Sequence, residues 1–159
     1  MEIRIERLGP GDVALMRELN ALMGAAFGED GGDACTQAPP GEAWLADLLS
    51  RPDVVALAAW RGGELAGALT AYELAKFEQE RRKLMIYDLA VAEAHRRHGV
   101  ARALIAWTQA HAARRGAWVA FVQADLRDPP AIALYSGLGT REEVLHFDLP
   151  VIRATPSPC

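Results

Sequence analysis

A strand that runs through a short basic turn into a helix is the feature that most constrains the fold. The stretch LMIYDLAV (84–91) is apolar enough to be a buried strand, and AEAHRRHGVARALIAW (92–107) follows it directly. A helix is predicted from Gly99 to Arg115, and Gly116 is placed to end it. A buried strand that leads into a helix in this way is typical of an α/β domain.

The remaining segments alternate between strand and helix patterns. Helices are predicted over Asp12 to Phe27, Glu42 to Ser50, and Pro130 to Ser136. Strands are predicted over EIRIERL (2–8), VVALAAW (54–60), LAGALTAYEL (65–74), AWVAFVQAD (117–125) and TREEVLHFDLPV (140–151). The order β-α-α-β-β-β-α-β-α-β predicts an α/β fold with a mixed sheet covered by helices on both faces. We expect one domain over residues 1–159 with a frayed tail at 151–159.

Composition and charge argue against several classes of protein. Lys and Arg give 17 positive charges against 21 negative ones, a net charge of −4, whereas binding of duplex nucleic acid needs clustered positive charge. The two cysteines, Cys35 and Cys159, are too few for a disulfide framework or a structural zinc site, and no metal is expected. The sequence has no signal-peptide pattern and no apolar run of the ~18 residues that a membrane span needs, so it predicts a soluble cytoplasmic protein.

The turn before the long helix has the chemistry of an anion site. The first N–H groups of a helix lack acceptors within the helix, and together with the helix dipole they favour a negatively charged ligand. Gly99 has no Cβ, so a phosphate can approach its backbone closely. Arg96, Arg97 and Arg102 can add charge-assisted contacts. A solvated basic turn is the alternative, since neither common glycine-rich nucleotide motif is present.

The same region resembles the acetyl-CoA signature of the GNAT superfamily of N-acetyltransferases. The similarity extends over YDLAVAEAHRRHGVARALI (87–105). The family motif [QR]-x-x-G-x-[GA] is read here as Arg96, Gly99 and Ala101. In this interpretation the anion held by the turn is the pyrophosphate of coenzyme A.

A second motif and a longer similarity support the resemblance. DPPAIALYSGLG (128–139) is similar to the second signature of the family, with Asp128 at the position of an Asn, followed by Ala131 and Tyr135. From about residue 50 onward, the sequence also resembles GNAT-type aminoglycoside 3-N-acetyltransferases. The order of predicted elements agrees with that of the family.

The resemblance implies a GNAT fold, with a mixed, mostly antiparallel sheet, splayed central strands and helices on both faces, and acetyl-CoA as cosubstrate. The main chain of the strand before the turn is expected to pair with the pantetheine arm, as an added strand would. The turn and the start of the helix are expected to hold the pyrophosphate. The implied cofactor-binding residues are Leu89, Ala90, Val91, Arg96, Arg97, His98, Gly99, Val100, Ala101, Arg102, Asp128, Ala131 and Tyr135.

The resemblance also implies catalytic roles. Tyr135 is the candidate general acid, and a phenol with a pKa of ~10 suits proton donation to a departing thiolate. The attacking amine must lose a proton, so a carboxylate is needed as base or relay. Asp125 and Asp88 are the candidates, with Asp125 favoured slightly. The structural alternatives are a packed tyrosine for Tyr135, a turn cap for Asp125 and a buried hydrogen bond for Asp88.

An aminoglycoside carries several ammonium groups, so carboxylates are expected to contact it. The expected substrate-binding residues are Asp33, Glu78, Asp125, Glu142 and Asp148. The predicted reaction is direct transfer of an acetyl group to the 3-amine of an aminoglycoside, which confers resistance, by a homodimer. A polyamine, another small amine or a protein N-terminus as acceptor, and a non-catalytic CoA-binding module, are the alternatives.

Overall fold

The computed structural model describes residues 1–28 and 38–151, which fall into two compact units that divide after Gln123. The elements of the first unit are β1 (Ile3–Arg7), α1 (Val13–Phe27), α2 (Glu42–Ser50), β2 (Val54–Arg61), β3 (Glu64–Ala75), β4 (Arg82–Val91), a 3₁₀ turn (Glu93–His95), α3 (Val100–Arg114) and β5 (Ala117–Val122). The second unit contains α4 (Pro129–Ser136). None of the helices in the described ranges is long and apolar enough to cross a membrane.

The strands of the first unit form one mixed sheet in the order β1-β2-β3-β4-β5. The pairs from β1 to β4 are antiparallel, and β4 pairs with β5 in parallel. The β2–β3 hairpin turns at Gly62 and Gly63, which have φ of +63° and +85°. Because a two-residue hairpin turn needs positive φ, the Gly-Gly pair in the sequence predicts this hairpin correctly.

Helices cover both faces of the sheet, as the sequence predicts. Side chains of α1 and α2 pack with Ala56, Ala58 and Ala68, which lie on one face. The helix α3 packs on the other face, where a Cβ on Gly67 would lie 2.9 Å from Cγ1 of Val100. Gly67 therefore marks a place where the start of α3 approaches the sheet closely.

The two parallel strands part before β4 ends. Their pairing runs from Arg82 opposite Ala117 to Ile86 opposite Val122, where β5 stops. The strand β4 continues to Val91 while paired only with β3. The expected splay of the central strands is therefore confirmed, and the α/β class with it.

The strand predicted over residues 140–151 is wrong. This part of the second unit has no regular secondary structure. Its apolar side chains are exposed, at 84% for Leu145, 74% for Phe147 and 84% for Leu149. An alternating pattern forms a strand only where a partner strand and a core receive it, and the described residues provide neither for this segment.

Candidate active site

The end of β4 leaves backbone groups without a strand partner. The N–H of Ala92 donates to the carbonyl of Ala66 on β3 at 2.9 Å, so Ala90, two residues earlier, also faces β3. Leu89 and Val91 lie between these positions and direct their N–H and C=O groups to the side on which β5 has ended. Of the three residues expected to pair with a pantetheine arm, Leu89 and Val91 present main-chain groups there, whereas Ala90 does not.

The turn after β4 brings two left-handed residues close together. Arg97 has φ of +63°, and Gly99, at φ of +85°, is the N-cap of α3. The first hydrogen bond of the helix joins the N–H of Ala103 to the carbonyl of Gly99 at 3.0 Å. The three preceding N–H groups have no acceptor among the described residues; they belong to Val100, Ala101 and Arg102. This is the arrangement expected of an anion site.

Cationic side chains surround this turn on its exposed side. Arg96, Arg97, His98 and Arg102 are all exposed. The Nε of Arg96 donates to the carbonyl of Val91 at 3.4 Å, which places this guanidinium at the end of β4. The side chain of Val100, by contrast, is buried, so only its main chain is available to a ligand.

Asp88 lies on β4 just after the last residue pair that joins β4 to β5. Its Oδ2 accepts a hydrogen bond from Oγ1 of Thr70 on β3 at 2.8 Å. The carboxylate is half-buried and belongs to the same strand as the open main chain of Leu89 and Val91. The structural hydrogen bond that the sequence suggested for Asp88 is thus present but only partly buried, and it engages one of the two carboxylate oxygens.

Asp125, in the second unit, is engaged by a neighbouring arginine. It accepts hydrogen bonds from Nε and from the backbone N–H of Arg127 at 3.1 and 2.8 Å, and its second oxygen lies 3.1 Å from Nη2. These hydrogen bonds lower the pKa of Asp125 to about 2. A carboxylate this acidic is a weak general base near neutral pH.

Tyr135 lies in α4, whose first turn is capped by Asp128. The Oδ1 of Asp128 accepts from the N–H of Ala131 at 3.1 Å, and Pro129 occupies the first helical position, one residue earlier than predicted. Burial, with a smaller effect of the Asp128 charge, raises the pKa of Tyr135. The phenol therefore carries its proton at neutral pH.

The carboxylates expected to contact substrate have different surroundings. Glu78 lies 3.1 Å from Nζ of Lys76, in the connector that precedes β4 and so at the far end of that strand from Val91. Asp148 is 3.0 Å from Nε2 of His146, and Glu142 is exposed. Asp33 lies outside the described residues. The structure thus does not bring Glu78 to the open end of β4.

Sequence reasoning missed residues that support the turn and the strand end. His95 is buried, and its Nε2 lies 3.1 Å from the carboxylate of Glu64 at the start of β3. Gly67 leaves room for the close approach of α3, and Thr70 and Tyr72 pair with residues of β4. The Gly within an apolar strand was the available signal for close packing, whereas the other contacts depend on strand register.

A surface cleft of about 560 Å³ reaches this turn through one lining residue, because a Cβ on Gly99 would lie 3.9 Å from Cδ1 of Ile3. Its lining residues are Glu2, Ile3, Arg4, Trp60, Gly62 and Gly63. None of them is a candidate catalytic or cofactor-binding residue. The open main chain and the unpaired N–H groups, rather than the size of a cleft, define the candidate site.

Comparison with known families points to one class of enzyme. The profile of the acetyltransferase (GNAT) family matches residues 16–140. None of the curated proteins matches the chain.

Several solved structures resemble the chain along most of its length. The aminoglycoside acetyltransferase HMB0005, from an uncultured soil metagenomic sample, is 53% identical with a TM-score of 0.87, covering 95% of this chain and 99% of its own. The aminoglycoside acetyltransferase meta-AAC0020, also from an uncultured soil metagenomic sample and in complex with sisomicin, is 28% identical with a TM-score of 0.85, covering 94% and 96%. Aminoglycoside N-acetyltransferase AAC(6')-Iy in complex with CoA, at 16% identity and a TM-score of 0.73 over 94% and 95%, shares the fold.

Proposed function

Because this chain belongs to the GNAT family of acetyltransferases, we propose that it transfers the acetyl group of acetyl-CoA directly to the 3-amine of an aminoglycoside and so confers resistance. The observation that carries the substrate class is the 53% identity, over 95% of the chain, to an aminoglycoside acetyltransferase. The 28% identical structure in complex with sisomicin supports the same class. The 3-position rests on the sequence resemblance after residue 50.

The groups at the end of β4 fit acetyl-CoA. The main chain of Leu89 and the N–H of Val91 offer hydrogen-bonding groups to an extended pantetheine arm, as a sheet edge does to an added strand. The unpaired N–H groups that follow Gly99 suit the pyrophosphate, and the exposed arginines of the turn add positive charge around it. Acetyl-CoA supplies a thioester whose carbonyl carbon is open to attack by an amine.

The amine and the leaving thiolate both need proton transfer. The nitrogen of the amine forms the new C–N bond as the C–S bond breaks, and its surplus proton leaves to a base. Asp88 is the base in this proposal, because Asp125 is held by Arg127 with a pKa of about 2. Tyr135, whose pKa is raised by burial, keeps a proton that it gives to the thiolate sulfur.

The decisive experiment measures thiol release from acetyl-CoA with gentamicin, spermidine and a set of N-terminal peptides as acceptors. We expect turnover with gentamicin, and NMR of the product should locate the acetyl group on the 3-amine. Turnover only with spermidine or a peptide would contradict the aminoglycoside as substrate and would make that compound the acceptor. Tight acetyl-CoA binding without turnover by any of them would favour a non-catalytic CoA-binding protein.

Three variants test the catalytic roles. Tyr135→Phe should lower kcat about a hundredfold and leave the Kd of acetyl-CoA nearly unchanged, because only the proton donor is lost. Asp88→Asn should lower kcat more than its counterpart Asp125→Asn. A larger loss in Asp125→Asn would return the role of base to Asp125, and an unchanged kcat in Tyr135→Phe would remove its role as acid.

Direct transfer has a test of its own. Replacing both Cys35 and Cys159 with Ala should leave turnover intact, because no cysteine carries the acetyl group in this mechanism. Loss of activity in a variant that still folds would contradict direct transfer.

The assembly and location form the last part of the proposal. We expect a cytoplasmic homodimer, since acetyl-CoA is a cytoplasmic metabolite and the sheet of the first unit ends in the edge strands β1 and β5. Light scattering after size-exclusion chromatography should give twice the mass of the 17.2 kDa chain.

A further inference from the structure

A β-bulge lies in β4 beside the gap that separates β4 from β5. Thr70 of β3 pairs with Asp88. The next pair along the strands is Ala71 with Ile86, which leaves Tyr87 without a partner on β3. A bulge redirects the side chain of the extra residue, and bulges are frequent beside active sites. Tyr87 is accordingly 63% exposed, although the preceding Ile86 is buried.

The ring of Tyr87 meets a second tyrosine. The ring centroids of Tyr72 and Tyr87 are 5.7 Å apart and the planes cross at 86°, an edge-to-face contact. Burial, followed by the charge of Asp88, raises the pKa of the Tyr72 phenol. Its hydroxyl therefore stays protonated and can donate a hydrogen bond. The pair forms an aromatic wall, Tyr72 and Tyr87, that is partly open to solvent.

A carboxylate without a cationic partner lies beside this wall. Thr70 and Tyr72 are two residues apart on β3 and share one face, and Thr70 holds Asp88 at 2.8 Å. Arg51 lies near enough to influence the pKa of Tyr72, but it is paired with Asp53 at 3.0 Å. Within the described ranges, Asp88 forms no ion pair and only one of its oxygens is hydrogen-bonded.

We infer that Tyr72, Tyr87 and Asp88 form the subsite that receives a protonated amine borne on a saturated ring of the acceptor. The ammonium lies against Asp88 and the faces of the aromatic wall, which attract cations. The C–H face of the ring packs on Tyr87. This inference rests on the proposed function and adds an aromatic surface to the carboxylates that the sequence suggested.

The chemistry of the wall favours an aminocyclitol over the other acceptors. A flat, exposed tyrosine offers a large apolar contact to a rigid saturated ring, which loses little conformational entropy on binding. A flexible polyamine would gain the charge contact with Asp88 but little from contact with the ring of Tyr87. The position beside Leu89 brings the amine to the open main chain expected to hold the cosubstrate.

The test uses Tyr87→Ala and Tyr87→Phe in the full chain, with Phe77→Ala as the matched control. Phe77 is fully exposed in the connector before β4, away from the bulge. Calorimetry with gentamicin and, separately, with acetyl-CoA measures each Kd. We expect Tyr87→Ala to raise the Kd of gentamicin about tenfold and to leave that of acetyl-CoA unchanged. Tyr87→Phe keeps the ring and should bind gentamicin nearly as the wild type does, as should Phe77→Ala.

The outcomes separate this inference from the proposed function. Wild-type protein that acetylates gentamicin, with an unchanged gentamicin Kd in Tyr87→Ala, would overturn the subsite alone. Equal weakening of both ligands in Tyr87→Ala would overturn it too, because the wall would then act through the cosubstrate. Wild-type protein that neither binds nor acetylates gentamicin would overturn both. A tenfold loss confined to gentamicin would support the subsite.

Discussion

At its Arg82 end, β4 is paired with strands on both sides, whereas at its Val91 end β3 is its one partner in the part of the chain that the structure describes. The carboxylates at the two ends of β4 also differ in how many partners they have. At the Arg82 end, the Glu73 carboxylate of β3 lies 2.8 Å from Nε of Arg115, 3.2 Å from Nε2 of His111 and 3.6 Å from Nε of Arg82. At the other end, the Thr70 hydroxyl is the one hydrogen-bond partner that the described residues give to Asp88.

The difference separates polar groups that stabilise the fold from those that are available to ligands. The side chain of Glu73 is 2% exposed, so its charge is tolerated only because cations and hydrogen bonds compensate it. Within the described ranges, the first N–H groups of α3 and the main chain of Leu89 are left open instead, and the carbonyl of Val91 accepts only from Nε of Arg96. We therefore expect substitutions at the first end to change stability and substitutions at the second to change binding.

The largest effect is expected at Gly99. A β-branched side chain is strained at φ of +85° and obstructs the approach of a phosphate, so Gly99→Val should raise the Kd of acetyl-CoA about a hundredfold. Gly116→Val is the matched control, because Gly116 has φ of +73° after the other end of α3 and an added Cβ there would meet no described atom within 4 Å beyond its chain neighbours. Gly116→Val should lower Tm about as much as Gly99→Val does, and it should leave the Kd of acetyl-CoA unchanged.

Arg97→Ala sharpens the same comparison. Arg97 is exposed and contributes charge rather than backbone donors, so its loss should raise the Kd of acetyl-CoA only a few-fold. A greater loss of binding in Arg97→Ala than in Gly99→Val would favour the solvated basic turn over the anion site.

A smaller effect, on stability, is expected at the opposite end of β4. Glu73→Gln should lower the free energy of unfolding by about 2 kcal/mol, less than for a fully buried pair because Arg115 is 38% exposed. Glu78→Gln removes an exposed partner of Lys76 and should change the free energy of unfolding much less than Glu73→Gln does. Urea denaturation measures both, and the Kd of acetyl-CoA for Glu73→Gln should match the wild type. A raised Kd would show that the two ends are not separable.

The same cluster sets a pH dependence of stability. Burial lowers the pKa of His111 from 6.5, so the unfolded chain takes up the proton first as the pH falls. Burial alone would raise the pKa of Glu73, but hydrogen bonds from Arg115 and His111 outweigh it and lower the pKa from 4.5. The stability contributed by Glu73 is thus present above pH 4.5 and is lost as the pH falls through its folded pKa. The free energy of unfolding, measured by denaturation at a series of pH values, should begin to decline below pH 6.5. At acid pH this decline should be shallower in Glu73→Gln than in the wild type.

A combined effect on stability and binding is expected at Gly67, which pairs with Val91. A Cβ there would lie 2.9 Å from Cγ1 of Val100 and 3.0 Å from the carbonyl of Ala90, so Gly67→Ala should cost about 1–2 kcal/mol. The displaced helix should raise the Kd of acetyl-CoA a few-fold. Gly24→Ala, at an open position in α1, should instead be neutral or stabilising. Unchanged stability and Kd in Gly67→Ala would show that α3 has room to move.

Local patterns predicted most of the fold, and contacts between elements explain the rest. The bounds of α2 agree with the prediction, and the Gly-Gly hairpin is present. The segment 140–151 has the right alternation for a strand, but a strand also needs a partner. The turn at Gly99 was predictable because its chemistry lies in consecutive residues.

The surroundings of the candidate bases were not predictable in this way. The contact between Asp88 and Thr70 depends on strand register across a bulge. The choice between Asp88 and Asp125 turned on Arg127, two residues from Asp125, whose side chain has to fold back on it. A sequence records that spacing but not the rotamers that close the contact.

The bulge at Tyr87 also determines which face of the sheet each later side chain of β4 occupies, and which of its main-chain groups pair with β3. Without the extra residue, Thr70 would pair with position 87, and each later residue would exchange its role with its neighbour. Asp88 would then point toward α3, while Leu89 and Val91 would turn their main-chain groups to β3 and close the edge. One inserted residue thus places the Asp88 carboxylate on the face of the aromatic wall. It also turns the main chain beyond Asp88 toward the side on which β5 has ended.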